Sequence, residues 1–303
     1  MLGNSAVLCQ PCMHYAGRLA LIRMEAKDAS TIILVRDTQK NELEVLMLER
    51  NTKSGYVPGA HLFPGGGVDE TDKSSEYLDI CTGITDKALN HRDKAFNNAV
   101  DTDDHTLAWK VAAIRECFEE VGILLATPSP GNSKRLAKYR TQVAEDPKQL
   151  IDICKAENIR LTADKLHYFS HWITPHGAPR RYDTRFFLTI APENQSPVED
   201  GTEIVKTLWI TPKKALEAYR EGSFDMLLPT VKTLETIGEF KDVESLIKWA
   251  GNLDTIPSIQ PRVRMHNDEL QVLIPGDDGY DETDEYPPEG LRMVPGRDNK
   301  DRH

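Results

Sequence analysis

The stretch 115–123 reads Arg-Glu-Cys-Phe-Glu-Glu-Val-Gly-Ile and constrains this chain more than any other. Residues three and four apart share one face of an α-helix, so Glu116, Glu119 and Glu120 crowd one side. Like charges at this spacing repel, whereas Mg²⁺ or Mn²⁺ would turn the repulsion into coordination by oxygen ligands. An ordinary solvated charged face is the alternative. The other side of the helix is apolar and suits packing on a sheet, with Val111, Ile114, Phe118 and Val121.

A proline and three glycines, Pro64 to Gly67, lie upstream and are followed by the acidic residues Asp69, Glu70 and Asp72. Glycine permits backbone conformations that other residues resist, and it allows close approach to a ligand or to a neighbouring element. Taken alone, the run predicts an ordinary turn.

Together the two segments resemble the Nudix box. That box consists of a glycine, five residues, an acid, seven residues, then Arg-Glu-apolar-x-Glu-Glu-x-Gly-apolar. Gly66 matches the first glycine, and residues 115–123 match the second half, with Cys117 at an apolar position. The resemblance implies an α/β/α sandwich, in which a mixed sheet lies between helices, and a metal-dependent hydrolase of nucleotide pyrophosphates.

The match departs from the box in two ways. The acid of the first half is Asp72 instead of glutamate, and 42 residues separate it from Arg115 where the family has seven. Such an insertion is tolerated because loop-closure entropy grows slowly with length. It is also a feature of the nucleoside diphosphate-linked moiety X motif 19 branch, which acts on coenzyme A and its acyl esters. The segments 45–66, 179–188 and 200–216 resemble that branch as well, and the resemblance covers about 28–250.

The resemblance assigns the metal site. It implies that Glu116, Glu119 and Glu120 hold one or more Mg²⁺ or Mn²⁺ ions, with the Gly66 carbonyl as an additional ligand. Asp72 is a weaker candidate. The ions would neutralise phosphate charge and lower the pKa of an attacking water.

Three residues of the box are expected to be catalytic: Glu119, Glu116 and Arg115. Glu119 is the one expected to be indispensable. Arg115 is expected to orient a carboxylate, because it can pair with Glu119 at i,i+4. The general base stays open between a box glutamate, a metal-bound hydroxide and a downstream acid such as Glu203.

Coenzyme A carries a pyrophosphate and a 3′-phosphate, so binding it requires cations outside the metal cluster. Arginine suits bidentate recognition of phosphate. Trp172 or Tyr182 would stack on adenine, or else serve as core or rim residues. Five basic residues are the candidates for substrate binding, each with a surface charge as its alternative: Arg50, Lys53, Arg180, Arg181 and Arg185.

Composition narrows the class of protein. The 303 residues carry a formal net charge of −11, which argues against nonspecific binding of nucleic acid. An anionic small substrate is still compatible, since local cations and a metal can invert the field at a site. No run reaches the roughly 18 apolar residues of a membrane helix. Five scattered cysteines indicate an intracellular, reducing compartment.

The composition of the two termini bears on the cellular compartment of the protein. Residues 1–24 lack Asp and Glu but contain Arg18 and Arg23, a composition weakly like a mitochondrial transit peptide and otherwise that of a disordered arm. The last residues, Lys-Asp-Arg-His, are not a Ser-Lys-Leu-type peroxisomal signal, although some relatives in this branch are peroxisomal. Mitochondrion and peroxisome are therefore both retained as expectations.

The resemblance implies a Nudix domain (28–254) with an insertion (73–108). Composition adds an N-terminal arm (1–27) and an acidic, Pro-rich extension (255–303). A Gly at position 122 predicts the end of the box helix. Predicted strands are 31–35, 44–48, 166–173, 184–190 and 204–210, with a small hairpin at 263–265 and 270–274. Predicted helices are 86–100, 107–121, 134–158, 212–221, 227–238 and 243–249. Residues 276–303 are predicted to be extended or disordered.

Two rival functions follow from the same residues. One is a Nudix hydrolase of another nucleotide, such as ADP-ribose, NADH or a capped RNA end. The other is a non-catalytic binding module with the same fold. The three intact glutamates argue against the second, because a pure scaffold does not need such crowding.

Overall fold

The computed structural model describes residues 24–54, 57–83, 106–131, 134–267 and 269–287. The strands are β1 (Lys27–Asp37), β2 (Leu43–Arg50), β3 (His61–Leu62), β4 (Gly65–Gly67), β5 (Ala126–Thr127), β6 (Arg160–Leu161), β7 (His167–Ile173), β8 (Tyr182–Ile190), β9 (Ile204–Ile210), β10 (Ser258–Ile259), β11 (Arg262–His266) and β12 (Glu269–Leu273). The α-helices are α1 (Tyr77–Ile80), α2 (Thr106–Val121), α3 (Lys134–Glu145), α4 (Gln149–Glu157), α5 (Pro212–Arg220), α6 (Leu228–Ile237) and α7 (Val243–Ala250).

Eight strands form the central sheet, in the order β10-β7-β8-β1-β2-β3, with β4 also paired to β1 and β9 to β2. The β1–β8 and β7–β10 pairs are parallel, and the remaining pairs are antiparallel. The sheet is therefore mixed, as predicted.

Alternation along the central strands builds two apolar layers. In β1, Ile32 and Leu34 belong to one buried cluster, and Ile33 and Val35 belong to the other. Period-two alternation sends successive side chains to opposite faces of a sheet. The first cluster includes residues of α2, α3 and α4, and the second includes residues of α5, α6 and α7. The predicted α/β/α sandwich is confirmed.

The box helix α2 runs beneath the sheet and ends where the sequence predicts. Ile114 and Phe118 on its apolar face are fully buried. Gly122 follows with φ of +69°, and its N–H donates to the Phe118 carbonyl at 3.0 Å. A left-handed residue of this kind is a common end for a helix and favours glycine. The chain then leaves α2 in a fixed direction, toward β5.

Most of the other predicted elements are confirmed. The β1–β2 hairpin pairs Val35 with Val45, and β7, β8, β9 and α5 to α7 begin and end within two residues of their predicted limits. The helical stretch predicted over 134–158 consists of two helices, α3 and α4, with a break at Asp146-Pro147. Proline lacks the N–H that a continuous helix requires.

The glycine run is a strand, not the turn that its composition predicts. In β4, Gly65 pairs with Thr31 and Gly67 with Ala29 of β1. A Cβ at Gly65 would lie 2.4 Å from the Ser30 carbonyl oxygen, so the strands approach more closely than a side chain permits. The sequence shows the glycines but not the neighbouring strand that requires them.

The described part of the C-terminal extension packs on the domain. β10 pairs with β7 at the sheet edge, and β11 and β12 form the predicted hairpin. Residues 276–287, predicted to be extended or disordered, instead form turns in which the Tyr280 hydroxyl donates to the Gln260 carbonyl. Arg262 donates to the carbonyls of Tyr280 and Thr283. These bonds satisfy groups that a disordered tail would leave to water.

Several predictions fall partly outside the described residues. The helix predicted over 86–100, the N-terminal arm and the end of the extension are among them. The domain limits therefore stay predictions. Among the residues that are described, no helix is long and apolar enough to cross a membrane.

Candidate active site

Two of the predicted metal ligands lie directly against the glycine strand. The Gly65 N–H donates to the Glu120 carboxylate at 2.9 Å. A Cβ at Gly66 would lie 2.5 Å from the Glu116 carboxyl carbon, so the bare backbone of β4 leaves the room that this carboxylate occupies. The close approach of β4 to α2 therefore sets the positions of both carboxylates.

Arg115 lies behind the glutamates and is almost fully buried. Its Nη1 donates to Glu116 at 2.9 Å and to Glu119 at 3.0 Å, so the contact with Glu119 predicted from the i,i+4 spacing is present. Its Nη2 donates to the Gly67 carbonyl at 2.8 Å. One guanidinium therefore joins α2 to β4 and holds two carboxylates side by side.

Asp72, predicted as a weaker metal candidate, has a different position. It is 1% exposed, and Arg115 donates to both of its carboxylate oxygens, with Nε to Oδ1 and Nη2 to Oδ2 each at 3.0 Å. Asp72 also accepts from the Asp69 backbone N–H at 2.8 Å, which fixes the turn that carries it. The structure thus makes Asp72 the anchor of Arg115. The separation of 42 residues hides this pair from sequence reasoning.

The three glutamates carry more negative charge than the neighbouring guanidinium balances. Burial raises the pKa of Glu119 to about 7 and raises that of Glu116, in both cases against the opposing charge of Arg115. Burial, reinforced by the charge of Glu116, raises the pKa of Glu120 well above its usual range. Carboxylates held in such surroundings favour a proton or a cation.

A hard divalent cation fits this donor set. The available atoms are carboxylate and carbonyl oxygens, the ligands that Mg²⁺ and Mn²⁺ prefer. Within the described residues, three acidic, His or Cys side chains do not converge closely enough to form a complete metal cage. Glu116 and Glu119 instead turn toward Arg115, which supplies the compensating charge. An ion would have to draw them partly away from that guanidinium.

Arg140 on α3 fixes the end of the box helix and is not predicted from the sequence. It donates to the carbonyls of Glu119 at 2.8 Å, Glu120 at 2.7 Å and Val198 at 2.7 Å. The last carbonyls of a helix have no partner within it, and arginine satisfies them while complementing the helix dipole. Arg140 therefore holds the backbone that carries two of the glutamates. A basic residue one helix further on carries no sequence signal of this role.

Glu116 and Glu120 line a cavity of about 520 Å³. Arg50 and Glu203 lie at the same end, and Arg50 donates to Glu203 and, at 3.0 Å, to the Ser54 hydroxyl. The positive charge of Arg50 lowers the pKa of both lining glutamates, against the larger effect of burial. This end combines carboxylates with an arginine, as a site for a metal and a phosphate requires.

The structure separates the five basic residues predicted to bind substrate. Arg50 and Arg180 line the cavity, whereas Lys53 is exposed on the loop after β2. Arg181 is buried and donates to the carbonyls of Thr174 and Met24, so its role is to close the start of β8. Arg185 lies over the Trp109 ring, 3.6 Å from its centroid. Arg181 and Arg185 thus already contact groups of the fold, and their binding of phosphate stays a prediction.

Strand alternation decides which aromatic side chains of this region face the cavity. Trp172 and Tyr182 line the cavity. His171, the neighbour of Trp172, hydrogen-bonds Asp183 at 2.6 Å. Adjacent residues of a strand point to opposite faces, so this pair belongs to the other side of the sheet. The pattern shows that Trp172 and His171 cannot serve one site together.

Replacing Gly66 by alanine is expected to lower kcat/KM about 100-fold while leaving the free energy of unfolding nearly unchanged. The new methyl group would displace the Glu116 carboxylate, which is the mobile end of a side chain, and small misplacements of catalytic groups cost about this much. Gly67→Ala is the matched control, because the nearest atom to its Cβ is 4.0 Å away. Steady-state kinetics and urea unfolding of both variants test this. Equal activity of the two would contradict the assigned position of Glu116.

Comparison with protein families gives one long match. The family described as "NUDT19 Nudix domain" matches residues 26–237. The matched range contains β1 to β9 and α1 to α6, and hence the whole of the box and every α-helix of the two helical layers except α7.

Comparison with individual proteins points to the same family. The chain is 30% identical over 277 residues to "Acyl-coenzyme A diphosphatase NUDT19" of Xenopus laevis, covering 80% of this chain and 72% of that protein. It is 28% identical over 277 residues to the Homo sapiens protein of the same name, covering 80% and 73%. A crystal structure of a NUDIX hydrolase from Alicyclobacillus acidocaldarius superposes with a TM-score of 0.62 at 22% identity, covering 78% of this chain and 99% of that one. The last comparison supports the fold alone.

Proposed function

This chain belongs to the NUDT19-type Nudix hydrolases, and from that membership we propose that it hydrolyses the pyrophosphate of coenzyme A or acyl-coenzyme A. The products would be a 4′-phosphopantetheine derivative and adenosine 3′,5′-bisphosphate. Water would attack one phosphorus atom, and the bond from that phosphorus to the bridging oxygen would break.

The observation that carries the proposal is the glutamate cluster at one end of the cavity. Glu116 and Glu120 line the cavity wall, and Glu119 shares the Nη1 of Arg115 with Glu116. Phosphoryl transfer needs positioning and charge neutralisation more than covalent catalysis. Mg²⁺ or Mn²⁺, held by these glutamates and the Gly66 carbonyl, would neutralise the pyrophosphate and acidify water.

The chain's own residues would supply the rest. Arg50, which lines the cavity with the glutamates, would contact a phosphate there, and Arg180 would supply a second cation from the cavity wall. Arg115 would act as a positioning residue, because Asp72 and the Gly67 carbonyl hold its guanidinium against α2 and β4. Glu203, paired with Arg50, would accept a proton from water or keep Arg50 oriented.

A substrate panel tests the proposal. We expect the purified protein to cleave coenzyme A faster than 3′-dephospho-coenzyme A, ADP-ribose or NADH. Turnover should require added Mg²⁺ or Mn²⁺ and should stop when EDTA is added. Faster cleavage of ADP-ribose or NADH would contradict the assignment of coenzyme A as the substrate, but not the assignment of the chain as a Nudix hydrolase.

A further inference from the structure

The cavity changes character along its length. The glutamates and the glycine strand β4 lie at one end, and Pro261, two residues after the end of β10, lies at the other. The strands between them are β4, β1, β8, β7 and β10, each hydrogen-bonded to the next. Four spacings of about 4.8 Å place the two ends roughly 19 Å apart. A ligand that fills the cavity is therefore long.

The far end is closed by the hairpin of β11 and β12. Val263, Met265, Leu270 and Val272 alternate onto one face of it, since Val263 pairs with Val272 and Met265 with Leu270. Leu270 and Val272 line the cavity, whereas Met265 near the hairpin tip is 46% exposed. The opposite face carries polar residues, among them Arg264, Glu269 and Gln271. The hairpin thus turns an apolar face toward the cavity.

The sheet adds an apolar residue beside this end, since Trp172 of β7 lines the cavity and β7 pairs with β10. The start of α6 also lines the cavity, but near β3, because the Asp225 carbonyl just before it accepts from the His61 N–H at 2.7 Å. The wall formed by β8 and the end of β7 also carries the polar residues Thr174, Tyr182 and Thr184. A ligand that is ionic at one end and apolar at the other matches the glutamates at β4 and the apolar hairpin face beside β10.

The hairpin is fixed to the domain. Arg262 at its base donates to the Tyr280 carbonyl at 3.1 Å and to the Thr283 carbonyl at 3.0 Å. The Arg262 guanidinium also lies over the Tyr280 ring, 4.4 Å from its centroid. A wall held in this way sets a definite limit to the length of a ligand.

Resting on the function proposed above, we propose that the hairpin end holds the acyl group of acyl-coenzyme A. Leu270 and Val272 would then set the preference for acyl-chain length. With the pyrophosphate at the glutamates, the pantetheine arm would pass β1, β8 and β7, and the thioester would bring its hydrocarbon to the hairpin. The adenosine half carries a further phosphate, so its place is near the charged end with Arg50.

The experiment compares kcat/KM for free, acetyl-, octanoyl- and palmitoyl-coenzyme A in wild type and three variants. Leu270→Gln makes the wall polar, Val272→Phe shortens the space, and Glu269→Gln is the control on the opposite face. Leu270→Gln should lower kcat/KM for the octanoyl ester about tenfold relative to free coenzyme A. Val272→Phe should reduce palmitoyl turnover most, and Glu269→Gln should leave every ratio unchanged.

Turnover by wild type separates the two proposals. If wild type cleaves neither free coenzyme A nor any of the three esters, the proposed function fails, whatever the hairpin does. If free coenzyme A is cleaved but Leu270→Gln and Val272→Phe keep the wild-type ratios of kcat/KM between the esters, the proposed acyl site is wrong. Equal losses for all four substrates would likewise overturn it, because the hairpin would then contact a part that they share.

Discussion

Replacing Glu119 by glutamine should lower kcat with coenzyme A on the order of 10²- to 10³-fold, the loss typical when one preorganised charged group is removed from a site. The amide keeps the shape of the side chain but is a weaker ligand for a divalent cation. It also compensates less of the positive charge of Arg115. Arg115 Nη1 donates to Glu119 at 3.0 Å and also to Glu116. Loss of the Glu119 carboxylate therefore changes the surroundings of both Arg115 and Glu116.

The same substitution should not destabilise the fold in the absence of metal. Burial raises the pKa of Glu119 to about 7, which means that the folded protein holds this charge at a cost. Arg115 retains Asp72, Glu116 and the Gly67 carbonyl as partners in the variant. Urea unfolding in EDTA should therefore give a free energy of unfolding equal to or above that of wild type.

Glu145→Gln is the matched control for this change. Glu145 is exposed at the end of α3 and is far from the box in sequence. Its replacement should alter neither kcat nor stability by more than experimental error. Wild-type activity of Glu119→Gln would remove Glu119 from the site, and a large loss of stability would assign it a structural role instead.

Asp72→Asn should cost about 3 kcal/mol of unfolding free energy. Removing one partner of a buried ion pair typically costs about 3–5 kcal/mol, because the other charge stays buried without compensation. Asp72 is 1% exposed and receives two hydrogen bonds of 3.0 Å from Arg115. The lower end of the range applies because Glu116 and Glu119 still contact the guanidinium. Activity should fall as well, since Arg115 would shift with its anchor.

Lys73→Gln offers a comparison on the same turn. Lys73 pairs with Glu70 at 2.8 Å, but Glu70 is 87% exposed. Exposed pairs contribute about 0–1 kcal/mol, so this variant should unfold almost as wild type does. Urea denaturation of both proteins measures the difference. If Asp72→Asn and Lys73→Gln cost the same, burial of the Asp72–Arg115 pair does not contribute as described.

Local signals carry most of what the sequence predicts correctly. The 3.6-residue period of apolar side chains in α2 and the glycine at 122 depend on neighbours within one or two turns, and both elements form where expected. Strand alternation places Ile32 and Leu34 on one face and Ile33 and Val35 on the other. These features need no knowledge of which segments meet.

Long-range pairing accounts for what the sequence does not predict. The glycine run becomes a strand because β1 lies beside it, and Asp72 reaches Arg115 across 42 residues. Arg181 differs from Arg180 because the segment leading into β8 turns one side chain toward backbone carbonyls and the other toward the cavity. The sequence alone cannot distinguish an arginine that binds backbone carbonyls from one that faces the cavity. Likewise, the apolar hairpin face reads as a small isolated element until its position against the cavity is known.

The most direct test of the central claim is product analysis of coenzyme A hydrolysis in ¹⁸O-labelled water. Wild type and Glu119→Gln are incubated with coenzyme A and Mg²⁺ or Mn²⁺, and the products are identified by mass spectrometry. We predict adenosine 3′,5′-bisphosphate and 4′-phosphopantetheine from wild type, with ¹⁸O in one of them, and both products from the variant at a rate on the order of 10²- to 10³-fold lower. Absence of both products from wild type, or equal amounts from the two proteins, would contradict the assignment of the glutamate cluster as a coenzyme A diphosphatase site.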